Sequence, residues 1–188
     1  MVSKWGKKRS IMRRYNSTAQ MYDTRYGEEQ EAKYKAVLED ANVAVGDVVL
    51  DAGCGSGLFF GKVTGQTELV VGVDISRKML QLARQRAQEF LNVYLVLADA
   101  DHLPFKEEVF SRVFAFTMLQ NMPKPAETLA ELKLISRSDA IFVVTGLKAA
   151  MTLEALDVLL DAAGLRVVSL RSDDPLRCYV ATCVQRRK

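Results

Sequence analysis

The chain alternates between short continuous apolar runs and stretches in which apolar residues recur every three or four positions. Seven runs lack the strict alternation of a half-exposed strand, so we predict strands that are covered on both faces. Strands that alternate with helices indicate an α/β fold with helices on both faces of one sheet. The predicted strands are 48–51, 69–74, 93–98, 109–116, 140–145, 165–170 and 178–184, and the predicted helices are 58–63, 77–90, 125–136 and 152–163.

The connections between these elements define the sheet further. Residues 171–175 join the last two strands, and this segment is too short for the crossover that parallel strands require. We therefore predict a Rossmann-like, seven-stranded, mostly parallel sheet with an antiparallel C-terminal strand, unlike the sheet of a plain dinucleotide dehydrogenase domain. Residues 10–41 are predicted to form one or two helices before the sheet, since Tyr15, Ala19 and Tyr22 recur at helical spacing.

Composition limits the classes of function. At 188 residues, 49% of them apolar, the chain suits one domain with a substantial core. No apolar stretch reaches the roughly 18 residues of a membrane span, and the N-terminus lacks the apolar run of a signal peptide. We therefore expect a soluble, cytoplasmic protein without a membrane partner. We also expect no disulfide framework and no metal, because the cysteines and the single histidine form no ligand pattern. These residues are Cys54, Cys178, Cys183 and His102.

Charge is segregated along the chain. The first fourteen residues hold six cations and no acid, residues 186–188 are all basic, and the segment between carries a net negative charge. We predict a basic arm over residues 1–14 and a single domain over residues 15–188. Such an arm is either a solvated tail or a surface that neutralises RNA phosphates. Its cations are Lys4, Lys7, Lys8, Arg9, Arg13 and Arg14.

The residues after the first predicted strand carry the clearest chemical signal. Asp51 ends the strand, and Gly53, Gly55 and Gly57 follow at alternate positions before a helix. Glycines let a ligand approach the bare backbone, and the amides at a helix start bind negative groups. A dinucleotide site has the spacing Gly-x-Gly-x-x-Gly and leaves room for a pyrophosphate. Asp51 would repel a pyrophosphate, so the pattern favours a ligand with a cationic group.

This segment closely resembles the first motif of class I S-adenosylmethionine-dependent methyltransferases. The resemblance implies that Asp51 serves the cationic methionine end of the cofactor, and that the three glycines contact it. It continues at Asp74, 17 residues beyond Gly57, where the carboxylate of the family accepts hydrogen bonds from both ribose hydroxyls. The neighbouring Ile75 is included in the predicted cofactor site.

Further matches follow the second and third predicted strands. Asp99 and Ala100 resemble the pair that binds the adenine amine and the adenine ring in this family, and Met79 is similar to a position that packs on the adenine. Two positions differ from the usual pattern. Ser111 stands where relatives commonly have an aspartate, and Cys54 lies within the glycine loop, where we interpret it as a packing residue.

Residues 15–23 resemble a helix of the ubiquinone and menaquinone biosynthesis methyltransferases, which folds over the cofactor in those proteins. Tyr22 is therefore predicted to contact the cofactor. The resemblance extends from about residue 15 to residue 145, and the last helix and hairpin match in pattern only.

The loop after the fourth predicted strand is expected to supply the groups that face the methyl acceptor. Our catalytic candidates are Thr117, Gln120 and Asn121, and Thr117 is also a cofactor candidate. Many relatives have paired histidines where this chain has two amides, which can orient an amine or hydroxyl without removing its proton. Methyl transfer is an in-line displacement that depends mainly on alignment, so a strong base is not required. His102 is expected to be structural.

Substrate class depends on weaker signals. Nearly all of the chain belongs to the predicted strands and helices of the methyltransferase core, so we expect an open active site without an inserted cap. An open site beside a basic arm with Trp5 and Tyr15 favours an RNA substrate, such as a base amine of ribosomal or transfer RNA. One alternative is a small-molecule methyltransferase of the quinone-biosynthesis type. The other is a protein methyltransferase, or a cofactor-binding subunit, that works with a small activator protein.

Overall fold

The computed structural model describes residues 3–173 and 176–186, without the side chains of Ala32 and Glu39. Within these residues one sheet contains seven strands. They are β1 (Val48–Ala52), β2 (Leu69–Asp74), β3 (Val93–Leu97), β4 (Phe110–Ala115), β5 (Ser136–Leu147), β6 (Leu165–Arg171) and β7 (Cys178–Gln185).

The strand order is β3-β2-β1-β4-β5-β7-β6. The pairs among β1 to β5 are parallel, and β7 is antiparallel to both β5 and β6. The predicted Rossmann-like topology is therefore confirmed. β5 begins earlier than expected because the chain leaves the preceding helix at Ile135 and pairs at once, with Ser136 opposite Phe110. Two residues of the short hairpin connection, 174 and 175, lie outside the described part of the chain.

Five α-helices accompany the sheet in the described residues. They are α1 (Lys4–Ala41), α2 (Phe60–Val63), α3 (Arg77–Ala87), α4 (Pro125–Leu134) and α5 (Leu153–Ala162). Ser76 caps α3 by accepting a hydrogen bond from the Met79 amide at 3.2 Å, and Thr152 caps α5 in the same way. Gly164, which follows α5, has the positive φ of 71° that ends a helix.

Helix α1 is a single helix of 38 residues, and it crosses the boundary that we predicted between a basic arm and the domain. Ser3 begins it, and Asn42 ends it in the left-handed conformation. Its second half packs on the sheet, where Val37 and Ala41 are fully buried. Its first half extends past the carboxyl ends of the parallel strands. No helix in the described ranges is both long and apolar enough to span a bilayer.

Both faces of the sheet are covered, as predicted. On one face, Leu50, Val113 and Phe142 pack in a buried cluster with residues of α4 and α5. On the other face, α1 and α2 contribute to a cluster that contains four aromatic side chains in contact. Phe59 is at its centre, with ring centroids 5.0 Å from Tyr34, 4.6 Å from Phe114 and 4.9 Å from Phe116.

Replacing Phe59 with alanine should therefore destabilise the fold. The change leaves a cavity among three rings and lowers the free energy of unfolding by about 3–5 kcal/mol. Denaturant unfolding followed by circular dichroism measures this loss. Val158 on α5 is 67% exposed, so Val158→Ala should stay within about 0.5 kcal/mol of wild type. Equal effects of the two substitutions would contradict the packing described here.

Candidate functional site

A cleft lies at the carboxyl ends of the parallel strands, beside the point where the strand order reverses between β1 and β4. Open α/β sheets bind ligands at this point because the loops on either side diverge. We call it the edge cleft. Among the predicted site residues it is lined by Tyr22, Gly53, Gly55, Asp74, Ile75, Met79, Asp99, Ala100, Thr117 and Asn121.

The glycine loop forms the floor of the edge cleft. Gly53 and Gly55 have φ angles of 74° and 56°, a backbone conformation that residues with side chains rarely adopt. A Cβ on Gly53 would lie 3.3 Å from the Cβ of Met118, so a side chain there would also narrow the cleft. Gly57 does not line the cleft. A Cβ at that position would overlap the Phe60 ring, and Gly57 therefore serves the packing of the loop.

Asp74 joins the glycine loop to the start of α3. Its carboxylate accepts hydrogen bonds from the Gly55 amide at 3.0 Å and from the Ser76 amide at 2.7 Å. Burial raises the pKa of this carboxyl, while the backbone hydrogen bonds lower it in part. The carboxylate thus faces the cleft in a fixed orientation beside Ile75 and the buried Met79.

Asp51 lies beneath the glycine loop, next to a small chamber that it shares with Tyr22, Gln30 and Gly53. Burial raises its pKa to about 8, and the nearby charge of Asp74 adds to this rise. Among the described residues, none forms a hydrogen bond or ion pair with the Asp51 side chain. A buried carboxyl without a partner is destabilised in its ionised form. A ligand that brings positive charge would remove this penalty.

Asp99 forms an ion pair with Lys8 of helix α1. The ammonium of Lys8 donates to both carboxylate oxygens of Asp99 at 2.7 Å, and it also contacts Asp101. Burial lowers the pKa of Lys8, but the hydrogen bonds to Asp101 and Asp99 outweigh this effect and raise it overall. Lys8 was expected in a basic arm, and the structure instead buries it against the domain. Lys4 likewise pairs with Glu127.

Helix α1 covers the edge cleft, and hydrogen bonds and ion pairs hold it to the domain on both sides of the cleft. Asn16 accepts hydrogen bonds from the Ser76 hydroxyl at 2.7 Å and from the Lys78 amide at 3.2 Å. Asp23 accepts from the Ser56 hydroxyl and pairs with Arg86. The expectation of an open site without a cap is therefore wrong, because the N-terminal helix itself supplies the cover. Lys8, Ile11, Tyr15 and Tyr22 form its inner surface.

The loop after β4 is held in a strained conformation. Thr117 has a φ of 52°, which is rare for a β-branched residue and is often found at functional positions. Its amide donates to Thr145 at 2.7 Å, and its hydroxyl lies 3.0 Å from the Nζ of Lys33. Its carbonyl accepts hydrogen bonds from the side-chain amides of Gln120 at 2.6 Å and Asn121 at 3.3 Å. The three catalytic candidates therefore form one connected group.

A larger cavity of about 770 Å³ adjoins the edge cleft. We call it the tyrosine cavity, because Tyr15, Tyr22 and Tyr26 form one of its walls. Thr117 and Asn121 line both spaces, and Gln120 lines the tyrosine cavity only. The two spaces are therefore separated by the strained loop and by the Tyr15 and Tyr22 rings, whose centroids are 6.2 Å apart.

Several predicted features lie outside both spaces. His102 is exposed after β3, and its amide donates to the Asp99 carbonyl at 2.9 Å, in agreement with a structural role. The Ser111 hydroxyl donates to Asp47 at 2.7 Å and so helps to fix the start of β1. Within residues 3–173 and 176–186, no group of three or more histidine, cysteine or acidic residues is placed to hold a metal.

Lys33 is the site residue that the sequence did not reveal. It is fully buried on α1, lines the tyrosine cavity and contacts Thr117. Its spacing from Tyr26 and Gln30 matches one face of a helix, but that pattern alone indicates packing. Its role becomes visible only once the position of α1 over the sheet is known.

Comparison with known proteins agrees with the geometry. Residues 50–144 match the family model described as a methyltransferase domain, which is half of the chain. The demethylmenaquinone methyltransferase of Staphylococcus saprophyticus is 33% identical over 112 residues, which cover 58% of this chain and 48% of the relative. This chain spans less than two-thirds of the length of the curated relatives that it matches.

Two solved structures show the same fold. Burkholderia thailandensis 1,6-didemethyltoxoflavin-N1-methyltransferase, with bound 1,6-didemethyltoxoflavin and S-adenosylhomocysteine, has a TM-score of 0.83 at 20% identity and covers 100% of this chain and 92% of that one. The complex of the Haloferax volcanii Trm112 methyltransferase activator with a methyltransferase has a TM-score of 0.77 at 20% identity, covering 92% and 98%. On its family match, its sheet topology and its glycine loop, the chain belongs to the class I S-adenosylmethionine-dependent methyltransferases.

Proposed function

We propose that this protein methylates a small planar ring, which binds in the tyrosine cavity while S-adenosylmethionine binds in the edge cleft. The observation that carries this proposal is the pair of adjoining spaces on either side of Thr117. The tyrosine cavity, at about 770 Å³, is within the size range of small-molecule sites. Three tyrosine rings on one wall offer flat apolar surfaces to a ring of similar size.

The edge cleft fits the proposed cofactor in charge and shape. S-adenosylmethionine supplies a methyl group on a positively charged sulfur. Asp51 is buried and Asp74 is half-buried nearby, and neither has a cationic partner among the described residues, so a cationic ligand would favour the ionised form of both carboxyls. The bare backbone at Gly53 and Gly55 leaves room for close approach.

Each end of the cofactor has its own candidate partners. Asp74 has a fixed carboxylate that can accept hydrogen bonds from ribose hydroxyls. Met79 and Ala100 offer apolar surface to an adenine ring. Asp99 can accept from the adenine amine, although Lys8 already donates to both of its oxygens. Lys8 therefore orients the carboxylate that the amine would meet.

The cover over the site favours a small acceptor. Helix α1 is fastened at Lys8, Asn16 and Asp23, so an acceptor must fit beneath it. The names of two related proteins specify low-molecular-weight acceptors, demethylmenaquinone and 1,6-didemethyltoxoflavin. Both support the same substrate class here.

The polar residues of the loop after β4 are suited to orient the acceptor. Asn121 donates to the Tyr15 hydroxyl at 3.2 Å and to the Thr117 carbonyl, which fixes its amide between the two spaces. Alignment alone can provide roughly 7–11 kcal/mol of a transfer barrier. The loop therefore contributes by holding the acceptor atom in line, and the side chains that we identify there need not remove a proton.

RNA is a second candidate substrate, and a row of exposed residues on α1 favours it. Arg9 and Arg13 are exposed and, among the described residues, form no ion pair. Trp5 is 51% exposed and lies one helical turn before Arg9. Such a row can neutralise phosphates and stack on a base. In this case the tyrosine cavity would admit a base that is turned out of its strand.

The proposed substrate class is tested by a transfer assay. Purified protein with methyl-labelled S-adenosylmethionine should label hydroxylated naphthalene and quinol acceptors, because these rings match the tyrosine wall. Tyr26→Ala should raise the KM for the ring about tenfold or more through lost ring contact, with little effect on cofactor affinity. Tyr94, which is 59% exposed on β3, provides the control Tyr94→Ala. Labelling of RNA but of no small ring would contradict the proposal.

Cofactor affinity should depend on pH through Asp51. In the ligand-free protein the Asp51 carboxyl is protonated below pH of about 8. A cation binds more tightly to the ionised form, so the affinity for S-adenosylmethionine should rise as the pH increases through this value, with release of a proton on binding. Calorimetry in buffers of different ionisation enthalpy measures that proton. Asp51→Asn should bind more weakly and lose the proton release.

Stability of the ligand-free protein should change in the opposite sense. Because the pKa of folded Asp51 is raised above its unfolded value of 3.8, its contribution is fully present at low pH and is lost as the pH rises toward about 8. Thermal unfolding of Asp51→Asn should therefore show a smaller loss of stability between acid and alkaline pH than wild type does. An identical pH dependence of the two proteins would remove Asp51 as the buried titrating group.

The RNA candidate is tested without disturbing the cover. Arg9→Gln with Arg13→Gln removes two exposed cations and leaves Lys8 in place. If RNA is the substrate, affinity for RNA should fall, and the slope of log affinity against log salt should decrease by about 1–2. Lys35→Gln, an exposed cation further along α1, is the matched control. Mass spectrometry of total RNA nucleosides with and without the gene would then identify the missing methylated base.

A further inference from the structure

The tyrosine cavity has an uneven charge. Its lining includes five cations and one acid, whereas the adjoining edge cleft contains two acids, Asp74 and Asp99, and one cation, Lys8. The acid is Glu29, which pairs with Lys33 at 2.8 Å and also lies 3.9 Å from Arg177. One carboxylate therefore serves two cations, and the cavity keeps an excess of positive charge. Arg14, Arg25 and Lys148 are the remaining cations.

Lys33 is the most deeply placed of these cations. It is fully buried, and its ammonium contacts only Glu29 and the Thr117 hydroxyl among the described residues. Burying an ammonium is costly unless its donors are satisfied. An ammonium has three donors, and these two contacts leave one donor for a ligand in the cavity. Thr117 also lines the edge cleft, so Lys33 lies beside the loop that separates the two spaces.

Two amides in the same cavity lack a hydrogen-bond donor. The Oε1 atoms of Gln30 and Gln120 are buried and have no partner in the described part of the chain. Gln30 is only 5% exposed, and its amide nitrogen donates to the Tyr22 hydroxyl at 3.3 Å. A buried carbonyl without a hydrogen-bond partner destabilises the folded protein. A ligand with a hydroxyl or amine hydrogen would satisfy these atoms.

We propose that the acceptor is a ring with at least two oxygen or nitrogen substituents, bound with one ionised oxygen at Lys33 and with a hydrogen-bond donor at the Gln30 and Gln120 carbonyls. This inference rests on the proposed small-ring function and specifies its substrate class. An acceptor that binds as an oxyanion has already released its proton to solvent, which explains how the site can work without a basic side chain in the loop after β4. Lys33 is then a positioning and charge-stabilising residue for the acceptor.

The groups around Lys33 come from four parts of the chain. Glu29 is on α1 with it, and Cys178 begins β7. Lys148 and Arg177 border the cavity on the segments after β5 and before β7. Burial raises the pKa of the Cys178 thiol, while the charge of Lys33 partly opposes the rise. Glu29 is therefore the only carboxylate of the cavity lining that competes with an acceptor anion for Lys33.

A coloured phenol tests this inference by binding alone. Para-nitrophenol absorbs differently as the phenol and as the phenolate, and its methyl ether, para-nitroanisole, cannot ionise. The protein saturated with S-adenosylhomocysteine is titrated with each compound at several pH values. We expect bound para-nitrophenol to be ionised at a pH about one unit lower than in water, which corresponds to roughly tenfold tighter binding of the anion. Para-nitroanisole should bind without this pH dependence.

Substitutions of Lys33 and of nearby cations test whether Lys33 causes the shift in the ionisation of bound para-nitrophenol. Lys33→Met keeps the length of the side chain and should abolish the shift, whereas Lys33→Arg should retain part of it. Arg177 is 78% exposed, so Arg177→Gln should fold normally and reduce the shift to a smaller extent. Lys35→Met, an exposed change on the same helix, should leave it intact. A shift that persists in Lys33→Met, or wild-type protein that binds the ring without a shift, would overturn the inference.

The same titration distinguishes the two proposals. If wild-type protein binds S-adenosylhomocysteine but neither para-nitrophenol nor para-nitroanisole, the small-ring function itself fails, and the inference fails with it. If both compounds bind equally at every pH, the ring cavity stands and only the role of Lys33 is wrong.

Discussion

Two carboxyls buried side by side at the ends of neighbouring strands are the constraint on which the site depends. Asp51 is the penultimate residue of β1, Asp74 ends β2, and the parallel pairing of the two strands brings both to the same edge of the sheet. The protein stabilises Asp74 with two backbone amides but provides no partner for Asp51 among the described residues. Burial therefore disfavours the ionised form of Asp51 in the folded state and keeps this carboxyl protonated up to a pH of about 8, and a cationic ligand would favour its ionisation.

This penalty explains why the glycine loop and α1 must be held so firmly. All three glycines of the loop have positive φ angles, and Asp51 lies beneath them, so a rearrangement of this loop would let water reach the carboxyl. Instead, Asp74 fixes the Gly55 amide, and Asp23 on α1 contacts Ser56 in the loop. The same helix contributes Tyr34 to the core and Tyr22 to the edge cleft. One element thus stabilises the fold and covers the site, so the two properties cannot be changed independently.

The parts of the site that sequence could predict are those within a few residues of a strand end. The positions of Asp51, Gly53, Asp74 and Asp99 follow from strand boundaries, since the carboxyl ends of parallel strands meet at one edge. The topology could also be predicted, because the short connection before the last strand excludes a crossover. Gly57 was assigned to ligand contact, but its position against Phe60 depends on how the following helix packs.

The resemblance of residues 15–23 predicted a helix over the cofactor, with Tyr22 in contact. The second cavity and the contacts of residues 4–8 with the domain could not be predicted, because they depend on the direction in which α1 leaves the sheet. In sequence, Lys8 is one of six clustered cations, and only the fold brings it to Asp99, 91 residues away. Charge counted along the chain therefore suggested a free basic arm, whereas the structure uses Lys4 and Lys8 in contacts with the domain.

The charges of the two adjoining spaces are opposite, and this arrangement suits a reaction between a cationic donor and an electron-rich acceptor. The edge cleft is lined by Asp74 and Asp99 with a single cation, Lys8, whereas cations predominate in the tyrosine cavity. Within a protein interior of low dielectric constant, each space attracts the reactant of opposite sign and repels the other. Thr117 lies at the boundary, in contact with Lys33 on one side and lining the edge cleft on the other. Thr117, with its left-handed φ of 52°, is thus the residue at which the negatively and the positively charged spaces adjoin, and a reacting donor and acceptor would meet beside it.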